Sequence, residues 1–135
     1  MPQARASPEP WALGPRVSVI AHVILFRPRP DVTLPERRAI IDAYAVALRD
    51  IPTIRRARVG RRVMVGRSYE DLMRTDLPYA AILEFDDPDG LRAYLDHPAH
   101  QEMATRLFAA IAETLVYDFE MEGSAEGLRG MLIQE

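Results

Sequence analysis

The sequence predicts an α+β domain, with one antiparallel sheet of four strands and helices on one of its faces. Three observations carry that expectation. Four segments alternate their side chains at a period of two, and two others open on helix-capping chemistry. The first strand is apolar on both faces, so both faces must be covered.

The elements follow in chain order. Residues 1–16 contain four prolines among scattered polar groups and are expected to be a flexible arm. Val17–Phe26 (VSVIAHVILF) reads as a strand, with Val19, Ala21, Val23 and Leu25 on one face and Ile20, His22, Ile24 and Phe26 on the other. Pro28 and Pro30 stop it. Thr33 and Glu36 form a T-x-x-E capping box, and Ile40, Ile41, Tyr44, Leu48 and Ile51 then recur at helical spacing until Pro52. Ile54–Val65 reads as a second strand, with Ala57, Val59, Val63 and Val65 sharing one parity and a bulge expected at Gly60. Residues 66–78 are a long connection with room for one helical turn. Tyr79–Phe85 is a third strand.

Asp87-Pro88 supplies an N-cap and a first-turn proline for a helix through Leu91, Tyr94 and Leu95. His97-Pro98 breaks it and starts another, with Met103, Leu107, Phe108 and Ile111 as its apolar face. Leu115–Met121 is the last strand, and a Gly-rich tail, residues 122–135, ends in an apolar GMLI. The domain is thus expected to span residues 17–121 in the order β-α-β-β-α-β, the ferredoxin-like arrangement. Helices on one face leave the other bare, with Ala80, Ile82 and Val116 adding to it. A homodimer packed sheet to sheet is the expected cover.

Composition narrows the chemistry. All 17 basic residues are arginine and there is no cysteine. Schiff bases, P-loops, thiol nucleophiles, disulfides and thiolate metal sites are therefore excluded, leaving His, Tyr and carboxylate acid–base chemistry or plain binding. A formal charge of −3 argues against a nucleic-acid partner despite the basic run from Arg55 to Arg67. No apolar run suits a membrane span and the N-terminus lacks a secretory signal, so a cytoplasmic location is expected. His97 and His100 lie three apart, but Pro98 stands between them and no carboxylate completes a ligand set. No metal site and no cofactor are expected.

HVILFR (22–27) followed by PDVT (30–33), VGRRV (59–63) and EFDDPDGLRAYLDHPAHQEM (84–103) together resemble the stress-responsive α/β-barrel domain family of the dimeric α+β-barrel superfamily. The similarity runs from about Val17 to Met121. It implies a homodimer whose two sheets close into a barrel. The family includes polyketide cyclases, which close rings on linear poly-β-keto thioesters. Similarity to that branch implies Tyr94 and His100 as the catalytic pair. It implies His22, Tyr44 and His97 as further lining of a pocket between helices and sheet. The chain departs from that pattern at strand three, where Tyr79 stands in place of a histidine.

The residue types suit such chemistry. A near-neutral imidazole can take a proton α to a carbonyl, and a phenol can hold the developing enolate. Tyr44, Tyr79 and Tyr94 suit a hydrophobic, carbonyl-rich ligand. A buried His22 needs a partner, with Tyr44, Tyr79 and His100 as candidates. Plain structural roles stay open for each of these, with HPAH as helix punctuation and the tyrosines as core. A non-catalytic stress-response or assembly protein is accordingly the alternative function. A cofactor-free oxygenase, drawn from the wider superfamily alone, is a third. The strand-two arginines are expected to pair with Glu84, Asp118 and Glu120.

Overall fold

The computed structural model describes residues 18–133, so the expected N-terminal arm lies outside the described residues. Its strands are β1 (Val19–Pro28), β2 (Arg56–Arg61), β3 (Tyr79–Phe85) and β4 (Ile111–Met121). They form one antiparallel sheet in the order β2-β3-β1-β4. The helices are α1 (Leu34–Asp50), α2 (Tyr69–Leu72), α3 (Pro88–Asp96), α4 (Pro98–Ala110) and α5 (Ala125–Leu132). The ferredoxin-like arrangement is present, with α2 inside the long connection and α5 in the tail.

Local chemistry sets the helix starts as expected. Thr33 Oγ1 accepts from the Glu36 amide, and the Glu36 carboxylate accepts from the Thr33 amide at 2.8 Å. Asp87 accepts from the Gly90 amide at 2.7 Å ahead of Pro88. At the α3–α4 break, His97 Nδ1 accepts from the Ala99 amide at 3.0 Å, so an imidazole caps α4.

Register decides which parity meets the helices, because residues directly opposite in an antiparallel pair share a face. Ile20, His22 and Ile24 oppose Phe85, Leu83 and Ala81 on one side and Glu120, Asp118 and Val116 on the other. Ile20, Ile24, Leu83 and Phe85 join Ala43, Ala47, Ile51, Leu91, Tyr94 and Met103 in the core, so this is the helix-covered face. Val19, Ala21, Val23 and Leu25 oppose Met121, Phe119, Tyr117 and Leu115 on the open face. Val116, expected on the open face, is therefore on the covered one; the open face of β4 carries its aromatics.

Other expectations are corrected by packing. Ile41 and Leu48 are 63% and 39% exposed. The buried side of α1 runs through Ala43 and Ala47 to Ile51, because small side chains let a helix approach its neighbours closely. On α4, Phe108 is half-exposed while Met103 and Ala110 are buried, and Ile111 already belongs to β4. β4 is longer than expected because it leaves α4 without a loop. β2 ends at Arg61 rather than Val65, and its register with β3 runs unbroken from Arg56↔Glu84 to Arg61↔Tyr79. No bulge forms at Gly60. The irregularity in the sheet falls instead at Arg27/Pro28, where β1 meets β4 and proline lacks a donor.

Candidate functional site

Beneath α1, α3 and α4 the covered face brings four of the expected residues together. His22 comes from the middle of β1, Tyr94 from α3, His100 from the first turns of α4, and Tyr44 from α1. Tyr94 is fully buried and is the hub. Its ring centroid lies 4.5 Å from that of His100, 5.1 Å from Phe85 and 5.7 Å from His22, the last in an edge-on arrangement. Tyr44 is half-buried against the same core.

Hydrogen bonds fix the histidine tautomers. His100 Nδ1 lies 3.1 Å from the Leu95 carbonyl, which can only accept, so Nδ1 carries the proton and the Nε2 lone pair is free. Burial pushes the His100 pKa below the ordinary imidazole value; the Leu95 bond opposes this and neighbouring His22 reinforces it. His100 is thus a neutral base at pH 7. Burial, with a smaller contribution from Tyr44, holds the Tyr94 phenol far above its ordinary value, so it remains a neutral O–H donor. That hydroxyl is buried and has no hydrogen-bond partner among the described residues. Leaving such a donor unmade costs about 1–3 kcal/mol.

His22 finds a partner the sequence reading did not name. Its Nδ1 lies 2.5 Å from the Asp118 carboxylate on β4, directly opposite in register. A carboxylate accepts, so His22 also carries its proton on Nδ1 and turns Nε2 away from Asp118. His22 is buried while Asp118 is half-exposed, so the pair joins the core to solvent at the sheet edge. The signal was present in the alternation of LVYDFEM, but pairing it with β1 required the strand order. That order also overturns the pairing expected for β2: β2 and β4 are opposite edges, so Asp118 and Glu120 cannot reach the β2 arginines.

Two expected residues stand apart. Tyr79 sits at the start of β3, 37% exposed and tilted on Phe26 at 5.6 Å, away from the Tyr94 hub. His97 spends Nδ1 on capping α4, and it helps hold Asp50 below the usual carboxylate range behind the larger effect of Arg49. Among the described residues, no group of three or more His, Asp or Glu side chains is placed to hold a metal ion. None of the described helices is long and apolar enough to cross a membrane.

Comparison with known proteins bears on the fold and family. Residues 20–121 match the family described as Stress responsive A/B Barrel Domain. A dimeric ferredoxin-like protein of unknown function from Thermobifida fusca is 26% identical, with a TM-score of 0.60 over 77% of this chain and 92% of that one. A Dabb family protein with a ferredoxin-like fold from Mesorhizobium loti is 21% identical, with a TM-score of 0.61 over 78% and 99%. The hydroxynitrile lyase of Passiflora edulis is 18% identical, with a TM-score of 0.66 over 80% and 97%, a likeness of fold. No curated protein matches the sequence.

Proposed function

This chain belongs to the stress-responsive A/B barrel domain family, and we propose that it works as a cytoplasmic homodimer with an acid–base site under its helices. The dimer would form through the open sheet face, where Leu115, Tyr117, Phe119 and Met121 are each about half-exposed. The description of the Thermobifida fusca protein as dimeric supports the dimer itself. The ligand would be a hydrophobic, carbonyl-rich small molecule, taken by the polyketide-cyclase-like chemistry that the Tyr94–His100 segment resembles.

One observation carries the site: a buried Tyr94 hydroxyl without a partner, in ring contact with a histidine whose Nε2 is free. In the reaction, His100 Nε2 takes a proton from the carbon α to a carbonyl. The electron pair moves onto the carbonyl oxygen, which accepts the Tyr94 O–H bond. The enolate carbon then attacks a second carbonyl, a C–C bond forms, and the new alkoxide recovers the proton from the His100 imidazolium. Asp118 keeps His22 fixed beside the phenol. Because Tyr94 is fully buried, entry requires the helices to part. A groove of about 290 Å³ between α1 and α4, lined by Ala43 and Ala99 among others, is the route we assign.

The alternative, a non-catalytic stress-response or assembly protein, is favoured by that same complete burial of Tyr94. A linear poly-β-keto thioester of N-acetylcysteamine separates the two readings, with cyclised product followed by ultraviolet absorbance. The enzyme reading expects turnover above buffer, falling about 100-fold or more in His100→Ala while the dimer persists. Wild-type turnover no faster than buffer, or a His100→Ala rate equal to wild type, leaves the assembly reading in its place.

A further inference from the structure

We infer that α5 is an arm of the dimer: its apolar stripe packs on the second copy and extends the sheet-to-sheet contact past the end of β4. The inference rests on the homodimer through the open face proposed above. Leu128, Met131 and Leu132 stand at i, i+3 and i+4 and so share one side of α5, while Glu126 and Arg129 pair at 3.5 Å on the other. These three apolar side chains, and Ile133 after them, are each more than half exposed. Single exposed leucines are ordinary, but four large apolar groups within six residues make a patch that needs a cover. A helix shorter than about 12–15 residues is also marginal in water by itself, and packing of its apolar side is what ordinarily holds it. α5 has eight residues.

Two features point to the second copy. The first is continuity. Leu115, Tyr117, Phe119 and Met121 run along the open face of β4, and α5 starts at Ala125. Four residue steps place the helix start no more than about 14 Å from the last side chain of the proposed interface. The second is a fixed seat. Ser124 accepts from the Gly127 amide at 3.1 Å and caps α5. Gly127 is buried, and a Cβ there would lie 2.4 Å from the Glu122 Cβ, closer than such atoms approach. Its bare backbone seats the helix on the residue after β4 and fixes the angle at which it leaves. The leucines stay uncovered by their own chain, so α5 is pre-organised, and little ordering remains when a partner arrives. The family match ends at Met121, so α5 strengthens a dimer that the sheets already form. Each α5 residue occurs twice in a two-fold dimer, so one substitution is felt at two contacts.

Sedimentation of the intact protein over a dilution series tests this, with Phe119→Asp alongside. Leu128→Asp and Leu132→Asp should each raise the dimer dissociation constant at least about tenfold with circular dichroism unchanged, while Leu132→Met keeps the wild-type value. Gly127→Val leaves the stripe intact but cannot keep the seat, and should raise it at least about fivefold. In a mixture of ¹³C-labelled and unlabelled wild-type copies, the methyl groups of Leu128, Met131 and Leu132 should show NOEs to the unlabelled copy. That measurement needs no variant, so it decides the matter even if one fails to fold. Wild-type dissociation constants in both Asp variants overturn the inference while Phe119→Asp still dissociates the dimer, the result expected if residues 1–16 of the same chain cover α5. A dimer without NOEs between copies from α5 overturns it equally. A wild-type monomer at micromolar concentration, or a dimer that Phe119→Asp leaves unchanged, overturns the sheet-to-sheet reading itself and the inference with it.

Discussion

The two faces of one sheet are made from the same strands and have opposite characters. On the covered face the alternate residues of β1 are buried, and they include one polar side chain, His22, satisfied by Asp118. On the open face β4 presents Leu115, Tyr117, Phe119 and Met121, each 43–54% exposed, with Glu113 at its start paired to Arg27 of β1. A buried imidazole is tolerated where it has a partner and a path to solvent at an edge strand. A half-exposed aromatic row is tolerated in water only at the risk of association. The polar pair thus marks the face for chemistry, and the bare apolar row marks the face for assembly.

Adjacent residues of β3 give the sharpest way to break that contrast. Leu83 is on the covered face and 1% exposed; Ile82, next in sequence, is on the open face. Leu83→Ala should cost about 2–5 kcal/mol in urea unfolding, through lost transfer energy and a cavity. Ile82→Ala should cost clearly less in dilute protein, and its cost should grow with protein concentration as a second copy covers it. Equal costs at all concentrations would mean that the two faces are equally covered within one chain.

Phe119→Asp tests the open face directly. A charge in the centre of a sheet-to-sheet contact should raise the dimer dissociation constant at least about tenfold, read by sedimentation, and leave the monomer folded. An unchanged dimer would place the contact elsewhere.

Much of this was legible in the sequence, and what was not has a physical reason. Caps and prolines act within a few residues, so Thr33, Asp87 and the His97-Pro98 break located the helix starts. Period-two alternation sorted LVYDFEM into its two parities, but only the β1–β4 register assigned Val116 to the helices and Tyr117 to the open face. The same long-range pairing concealed Asp118, which meets His22 96 residues away in the chain. Tyr79 looked equivalent to Tyr94 by residue type. Its distance from the hub follows from its place at the outer end of β3, beyond anything that spacing encodes.

The smaller effects sharpen the covered face. Tyr94→Phe removes a buried hydroxyl that has no partner among the described residues. It should therefore stabilise the fold by about 1 kcal/mol, relieving part of the desolvation cost, while removing the donor the proposed reaction needs. A variant less stable than wild type would show that the hydroxyl is bonded in solution.

The last effect is one of pH. The folded pKa of His100 is held below its ordinary 6.5, mainly by burial, so above 6.5 both states are neutral and the site costs nothing. As the pH falls below 6.5 the unfolded chain takes up the proton first, so stability falls until the pH passes the folded value. Glu36, Asp50 and Glu70 are instead held below the ordinary carboxylate range, Glu36 and Glu70 chiefly by backbone N–H bonds and Asp50 chiefly by Arg49. Their contribution is present above about 4.5 and is lost only in stronger acid. The decline between pH 6.5 and about 5 should therefore be shallower in His100→Gln than in wild type, read by thermal unfolding at each pH. Ile82→Ala, altered only on the open face, should keep the wild-type slope. Parallel slopes for His100→Gln and wild type would mean that burial does not hold His100 below its ordinary value.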